Sequence, residues 1–259
     1  MNSRVRIATW NVNSLNVRLP HLEAWLRAQS PDVVCLQETK CEESKFPGAA
    51  IEAMGYRWVH NGQKTYNGVA ILAKAGCGNI GRGIPEFADD QSRVIAGDVG
   101  DVRIVCVYVP NGQSVGSDKY EYKLRWLGAL RKWLAAELVA HPKMAVLGDY
   151  NIAPDARDVH DPLAWEGRIL FSEPERSALK GLLDTGFVDS FRLFEQPEKS
   201  YTWWDYRLNA FKRKMGLRID HVLLSSALAK ACTACTIDTE PRGLERPSDH
   251  APVICELSP

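Results

Sequence analysis

Residues 93–99 and 102–109 are two strand-like apolar runs separated only by Gly100-Asp101. A two-residue link cannot carry a crossover, so these runs must pair as an antiparallel hairpin. Residues 68–73 add another apolar run before them. The opening of the chain reads differently. A strand at 4–10, with Val5 and Ile7 on one side, precedes a helix at 19–28 carrying Leu22, Trp25 and Leu26, and then a buried strand at 32–37. That strand–helix–strand unit alone would suit a parallel α/β fold, but the hairpin excludes an all-parallel sheet. A long helix at 119–140 places Trp126, Leu127, Leu130, Trp133, Leu134 and Leu138 on one stripe, opposite Lys123, Arg125, Arg131 and Lys132. Residues 144–147 form a buried strand, 161–186 two shorter helical pieces, and 219–224 another strand. These patterns predict two mostly antiparallel sheets packed face to face with helices outside. No linker, repeat or low-complexity tract divides residues 1–259, so one domain is expected.

Thirty-two basic and 32 acidic residues give a formal net charge of zero, which argues against indiscriminate polyanion binding. A local basic patch balanced by an acidic site gives the same sum. No export signal or long apolar span is read, so a cytoplasmic protein without a membrane partner is expected. Seven irregularly spaced cysteines fit a reduced interior better than a disulfide framework. Cys232 and Cys235 make a CxxC, but no second ligand pair accompanies it, and it reads as packing near a strand.

Polar residues collect where the apolar runs end. Val146-Leu147-Gly148 leads into Asp149-Tyr150-Asn151, and alternation along an extended chain would turn Asp149 and Asn151 to one side. Asn11 and Asn13 follow the first strand, Glu38 follows the second, Asp220 interrupts a later one, and Asp249-His250 precede the last. Taken singly, each has an ordinary explanation, since Asp and Asn favour turns. Together they supply hard oxygen donors suited to Mg²⁺ or Mn²⁺ rather than zinc, with an acid, an imidazole and amide donors. Such a set is equipped for in-line attack of water on a phosphodiester.

Asn11-Val12-Asn13, Leu36-Gln37-Glu38-Thr39-Lys40, Gly62-Gln63-Lys64, Gly148-Asp149-Tyr150-Asn151-Ile152, Gly216-Leu217-Arg218-Ile219-Asp220 and Pro247-Ser248-Asp249-His250-Ala251-Pro252 resemble the exonuclease III family of DNA-repair nucleases, in order and nearly end to end. The resemblance implies a four-layer α/β/β/α sandwich. It also implies Glu38 and Asn11 as metal ligands with Asn13 beside them, and Asp249 available to the metal or its waters. Asp149 would deprotonate the attacking water, Asn151 would hold that water or the phosphate, and Asp220 would fix His250 on a phosphate oxygen. Tyr108 would reach the phosphate or leaving oxygen, and Lys40 would add positive charge nearby.

For DNA binding, Trp203, Trp204 and Tyr206 lie beside Arg207, Lys212, Arg213, Lys214 and Arg218, with Lys64 in the Gly-Gln-Lys motif. Aromatics interleaved with basic charge suit a backbone- and shape-reading surface. Leu170 and Phe171, with Trp203, occupy the segment expected to line a substrate pocket. Family members that incise abasic sites well look to carry a small residue at the position of Leu170. The expected activity is therefore a Mg²⁺-dependent (or Mn²⁺-dependent) 3′–5′ exonuclease and 3′-phosphatase on duplex DNA with 3′ ends, nicks or abasic sites, with weak abasic-site incision, working as a monomer. A phosphoinositide or sphingolipid phosphohydrolase of the same fold and a non-catalytic DNA-end binder are the alternatives. The aromatic-basic loop disfavours the first, and the filled catalytic positions disfavour the second.

Overall fold

The computed structural model describes residues 4–258. Its strands are β1 (Val5–Asn11), β2 (Val33–Gln37), β3 (Arg57–Asn61), β4 (Val69–Ala73), β5 (Gly78–Arg82), β6 (Val94–Val99), β7 (Val102–Tyr108), β8 (Met144–Asp149), β9 (Phe187–Asp189), β10 (Asp220–Ser225), β11 (Cys232–Ile237) and β12 (Val253–Leu257). The α-helices are α1 (Leu15–Gln29), α2 (Gly48–Ala53), α3 (Asp118–Ala140), α4 (Pro162–Trp165), α5 (Glu173–Leu183) and α6 (Ser226–Ala229). One sheet runs β11-β12-β1-β2-β4-β3 and the other β5-β6-β7-β8-β10-β9. Only β1–β2 and β7–β8 pair in parallel, and each needs a helix, α1 or α3, to carry the chain back.

Both faces of each sheet are covered. Ile7, Val33, Cys35 and Ile71 meet Ile95, Ile104, Cys106 and Leu147 between the sheets. The outer face of the second sheet packs Val105 and Val146 on Trp126, Leu130 and Leu134 of α3 and Leu179 of α5. The outer face of the first packs Trp10, Val34 and Leu36 on Leu22, Trp25 and Leu26 of α1 and Ile51 of α2. The result is the expected four-layer α/β/β/α sandwich. Covering on both faces explains why β2 and β8 are continuous buried runs without polar alternation.

This topology gathers one end of every relevant strand. β1, β2, β7 and β8 finish at the same rim. β10 runs antiparallel to β8, with Asp220 opposite Asp149, and β12 runs antiparallel to β1, with Val253 opposite Thr9. The segments entering β10 and β12 therefore arrive where the other four leave. Helix α1 begins at Leu15, earlier than its apolar spacing suggests, and continues through Pro20.

Candidate active site

Gly148 is a fixed requirement of the rim. A Cβ there would lie 1.9 Å from the carbonyl oxygen of Val107 on the neighbouring strand. The residue after this close approach, Asp149, is buried, and its Oδ1 accepts the Asn151 backbone N–H at 2.9 Å. Asn151 has φ 50, in the left-handed region that Asn tolerates. Asp149 and Asn151 thus converge through a local side-chain turn after the strand has ended, and strand alternation is not the cause. Asn151 Nδ2 donates to the Val109 carbonyl at 3.0 Å, and its Oδ1 accepts from Asn111 Nδ2 at 3.2 Å.

From β1, Asn11 Nδ2 donates to Glu38 Oε1 and to Asp149 Oδ2, both at 2.9 Å. Tyr108 donates its hydroxyl to Glu38 Oε1 at 3.0 Å, and Lys40 Nζ stands 2.8 Å from Glu38 Oε2. The last loop is tied to β1 through Ser248 Oγ, which donates to the Asn11 carbonyl at 2.6 Å, and through Trp10 Nε1, which donates to the His250 carbonyl at 3.2 Å. That loop sets His250 Nδ1 at 2.9 Å from Asp220 Oδ2 and Nε2 at 3.7 Å from Asp149 Oδ2.

The charges respond to this crowding. Burial opposes charging of the His250 ring, but Asp220 and Asp149 outweigh it and raise its pKa to about 10. Nδ1–H then donates to Asp220, and Nε2–H faces the reaction side. Burial pushes Asp149 up to about 7, helped by Asp220 and opposed by His250. Burial would also raise Glu38, but Lys40 and Asn11 hold it below the ordinary value. The Tyr108 phenol, buried and beside Glu38 and Asp149, is pushed well up and stays a donor.

Glu38, Asp149 and His250 each bring a ligand-type atom within 4.8 Å of the others. A protonated imidazole has no free lone pair, so the oxygens of Glu38 and Asp149 are the donors fit for a cation. Asp220 leaves Oδ1 buried without a partner, which adds to the negative field. Oxygen-only donors, one buried on Asp149 and one half-buried on Glu38, fit a hard divalent ion. Asn11 differs from the expectation of a ligand: its Oδ1 is taken by the Asn13 N–H at 2.9 Å, and its NH₂ points at the acids. It holds the carboxylates in place. Asp249 stands just outside the group, accepting from Asn13 Nδ2 and Trp203 Nε1, each at 3.0 Å.

Around the rim, Lys64, Arg207, Lys212, Arg213 and Lys214 are exposed, Trp203 is half-buried, and Trp204 is core, edge-on to Phe211 at 5.0 Å. Arg218 corrects the expectation of a phosphate contact. It is 1% exposed and paired with Asp158 at 2.6 Å and Asp189 at 2.7 Å, so it cannot reach DNA. Leu170 and Phe171 are buried with Val159, Leu217 and Ile219, and Trp203 packs against this cluster.

Lys123 was expected on the polar face of its helix, yet it is fully buried behind the site. Its Nζ donates to the carbonyls of Asn151 at 2.7 Å and Asn111 at 3.1 Å and to Glu175. Helical periodicity cannot signal a lysine drawn inward by carbonyls distant in sequence. Asn111 was also missed, although its place in Pro110-Asn111-Gly112 just beyond β7 matches the other strand-exit amides. Arg93, with its guanidinium 4.7 Å from the Tyr108 ring centre, carried no local signal.

Residues 8–250 match the Endonuclease/Exonuclease/phosphatase family. The chain belongs to this family. Within it, 98% of the chain aligns at 35% identity with all of exodeoxyribonuclease III from Haemophilus influenzae. The fold superimposes with a TM-score of 0.96 on the 3′ phosphatase NExo from Neisseria bound to product DNA hairpin, at 46% identity over 98% of this chain and 99% of that one. An AP endonuclease from Archaeoglobus fulgidus gives a TM-score of 0.95 at 37% identity, over 98% of this chain and all of the other. The chain is thus an exodeoxyribonuclease III-type member of a metal-dependent hydrolase family.

Proposed function

We propose that this family member is a Mg²⁺-dependent DNA-repair phosphodiesterase that works at duplex 3′ ends as a 3′–5′ exonuclease and 3′-phosphatase, with weak incision at abasic sites. The observation that carries it is His250 held between Asp220 and Asp149, beside the Glu38–Asn11–Tyr108 cluster, in a chain similar throughout to a 3′ phosphatase and an exodeoxyribonuclease. Water attacks the phosphorus, a proton passes to Asp149, and the bond from phosphorus to the leaving oxygen breaks. Asn151 and Asn111 set the position of the water and phosphate, while the His250 Nε2–H meets the charge growing on a phosphate oxygen. Tyr108 donates its proton toward Glu38 or the leaving oxygen. A Mg²⁺ ion held by Glu38, replaceable by Mn²⁺, would neutralise phosphate charge and polarise the attacked phosphorus.

The substrate preference follows from Leu170. A flipped abasic sugar needs an apolar space near Trp203, and an isobutyl group packed with Phe171, Val159 and Leu217 fills volume there. A terminal nucleotide or phosphate does not require that space. Among the described residues no helix is long and apolar enough to cross a membrane, and no disulfide joins the cysteines. We further propose that the protein works in the cytoplasm as a monomer. One panel tests the function: the same duplex carrying a recessed 3′ end, a 3′-phosphate or an abasic analogue, with EDTA and with Mg²⁺ added back. Robust release at the first two that requires Mg²⁺ is expected. Full activity in EDTA, or abasic cutting faster than 3′ trimming, would overturn it.

A further inference from the structure

Residues three apart on a regular strand point to opposite faces, so Cys232 and Cys235 should be separated by the sheet. The register of β11 against β12 shifts between Cys232, opposite Leu257, and Ala234, opposite Glu256. This bulge inserts one residue and reverses the phase. Both sulfurs therefore turn to the inner face, where Cys255 of β12 already lies directly opposite Cys235. Cys232 Sγ comes to 3.5 Å from Cys255 Sγ, close enough for a thiol hydrogen bond. Cys235 is buried, and its sulfur accepts the Ser190 hydroxyl at 3.2 Å.

The two sulfurs at 3.5 Å differ in access. Cys255 is buried, whereas Cys232 is partly exposed on β11, the outermost strand of its sheet. An oxidant in solution meets Cys232 first, and a second thiol waits behind it. The hydrogen bond from Cys255 also favours the Cys232 thiolate, lowering its pKa, while Cys255 is raised. A thiolate attacks and a neutral thiol resolves, which is the division of labour that disulfide formation needs.

We propose that Cys232 and Cys255 form a hydroperoxide-reactive dithiol, a modification site separate from the nuclease centre, that closes to a disulfide stapling β11 to β12. In the first step the Cys232 thiolate attacks the distal oxygen of a hydroperoxide. The O–O bond breaks, one oxygen stays as Cys232 sulfenic acid, and the other leaves as water or an alcohol after taking a proton. In the second step the Cys255 sulfur attacks the sulfenic sulfur, the S–O bond breaks, and water leaves with the Cys255 proton. The two thiols supply both electrons, and the hydroperoxide accepts them. The bulge is required, because without it Cys232 would face away from Cys255.

The test is mass spectrometry of the full-length protein, reduced, freed of reductant, exposed to a few equivalents of hydrogen peroxide, alkylated and cut with trypsin. Cys232 falls in the tryptic segment 231–242 and Cys255 in 243–259. The expected product joins these segments, blocks two thiols from alkylation and disappears with dithiothreitol. Because Cys235 shares the first segment, Cys235→Ser should keep the cross-link and Cys232→Ser should lose it. Both variants should retain 3′-end nuclease activity, which reports that they are folded. Conversion of wild-type Cys232 to sulfinic acid without a cross-link would overturn the proposal, as would a cross-link that persists in Cys232→Ser. Wild type and Cys235→Ser decide the matter even if Cys232→Ser does not fold.

Discussion

His250 lies between two buried carboxylates, bonded to Asp220 at 2.9 Å and facing Asp149 at 3.7 Å. Asp220 bonds the far nitrogen of the ring, so its orienting role passes through His250, beside the direct push of its charge on Asp149. Removing His250 should then remove that orienting role as well. His250→Ala and Asp149→Asn are each expected to keep duplex affinity while turnover falls by about 10²–10⁴. The Asp220→Ala, His250→Ala double variant should be scarcely slower than His250→Ala alone. Single-turnover rates beside equilibrium binding read both, and multiplicative losses would assign Asp220 a separate role. Leu170 tests specificity at the same scale. It has φ 73, a conformation that glycine adopts freely, so Leu170→Gly loses packing but relieves backbone strain of about 1 kcal/mol. The variant should fold, gain abasic incision and leave 3′-phosphate release unchanged. No gain would mean that Leu170 only fills the core.

Among elements, α3 bears on the site through Lys123, which links the carbonyls of Asn111 and Asn151 to Glu175. Glu175 in turn accepts the N–H groups of Leu170 and Ser172, so one buried ion pair holds both the β8 exit and the segment carrying Leu170. Lys123→Met strands the Glu175 charge and should cost about 3–5 kcal/mol in denaturant unfolding. Adding Glu175→Gln should restore much of that stability but not the turnover, because the two carbonyls remain unanchored. Recovery of both together would reduce Lys123 to a packing role. The basic loop makes a different kind of contribution. Replacing Lys212, Arg213 and Lys214 by Ala should weaken every duplex alike and flatten the salt dependence by up to about 0.9 per lost phosphate contact. Arg218 does not belong with them: Arg218→Ala would leave buried Asp189 without a cation and Asp158 with Arg192 alone, and should destabilise the fold. The same elements show what sequence can and cannot convey. β2, β7, β8 and α3 were legible because a strand covered on both faces, a two-residue hairpin and an amphipathic stripe are local patterns. β5, with two glycines and a shifted register, and the bulged β11 are sheet edges without such a pattern. Glu38, Asp149, Asp220 and His250 stood out because they follow or precede apolar runs. Lys123 and Arg218 misled because partners far along the chain decide where a long cationic side chain points.

For the whole molecule, stability depends on buried groups whose protonation differs between the folded and unfolded chain. His60 on β3 is 1% exposed, its Nε2 is 2.9 Å from Thr39 Oγ1, and its Nδ1 is buried without a partner. Burial, with a smaller push from Arg82, lowers its pKa to about 4. His221 is likewise lowered, by burial and by Arg218, whose Nη1 donates to His221 Nδ1 at 3.0 Å while Nε2 donates to the Ile152 carbonyl at 2.8 Å. The sign follows from proton counting. Between the unfolded value of about 6.5 and the folded value, the unfolded chain holds the extra proton, so acid favours unfolding. Both histidines leave stability intact above about pH 6.5 and withdraw it as pH falls below that, His60 down to about pH 4. Asp189, held below its ordinary value by Arg218 and His221 against its burial, withdraws more as pH drops through the carboxylate range. His250, raised to about 10, acts in the opposite sense: its contribution is full below about pH 6.5 and fades as pH rises through 10. Asp149, raised by burial to about 7, opposes the histidines, because the folded chain holds its extra proton from the ordinary carboxylate range up to about pH 7. The His60 contribution to the acid limb is therefore isolated by substitution. His60→Gln keeps a side chain able to meet Thr39 but cannot gain charge. It should remove about 3 kcal/mol of the loss between pH 7 and pH 4, measured as unfolding free energy against pH. A slope identical to wild type over that range would show that His60 does not drive the acid limb.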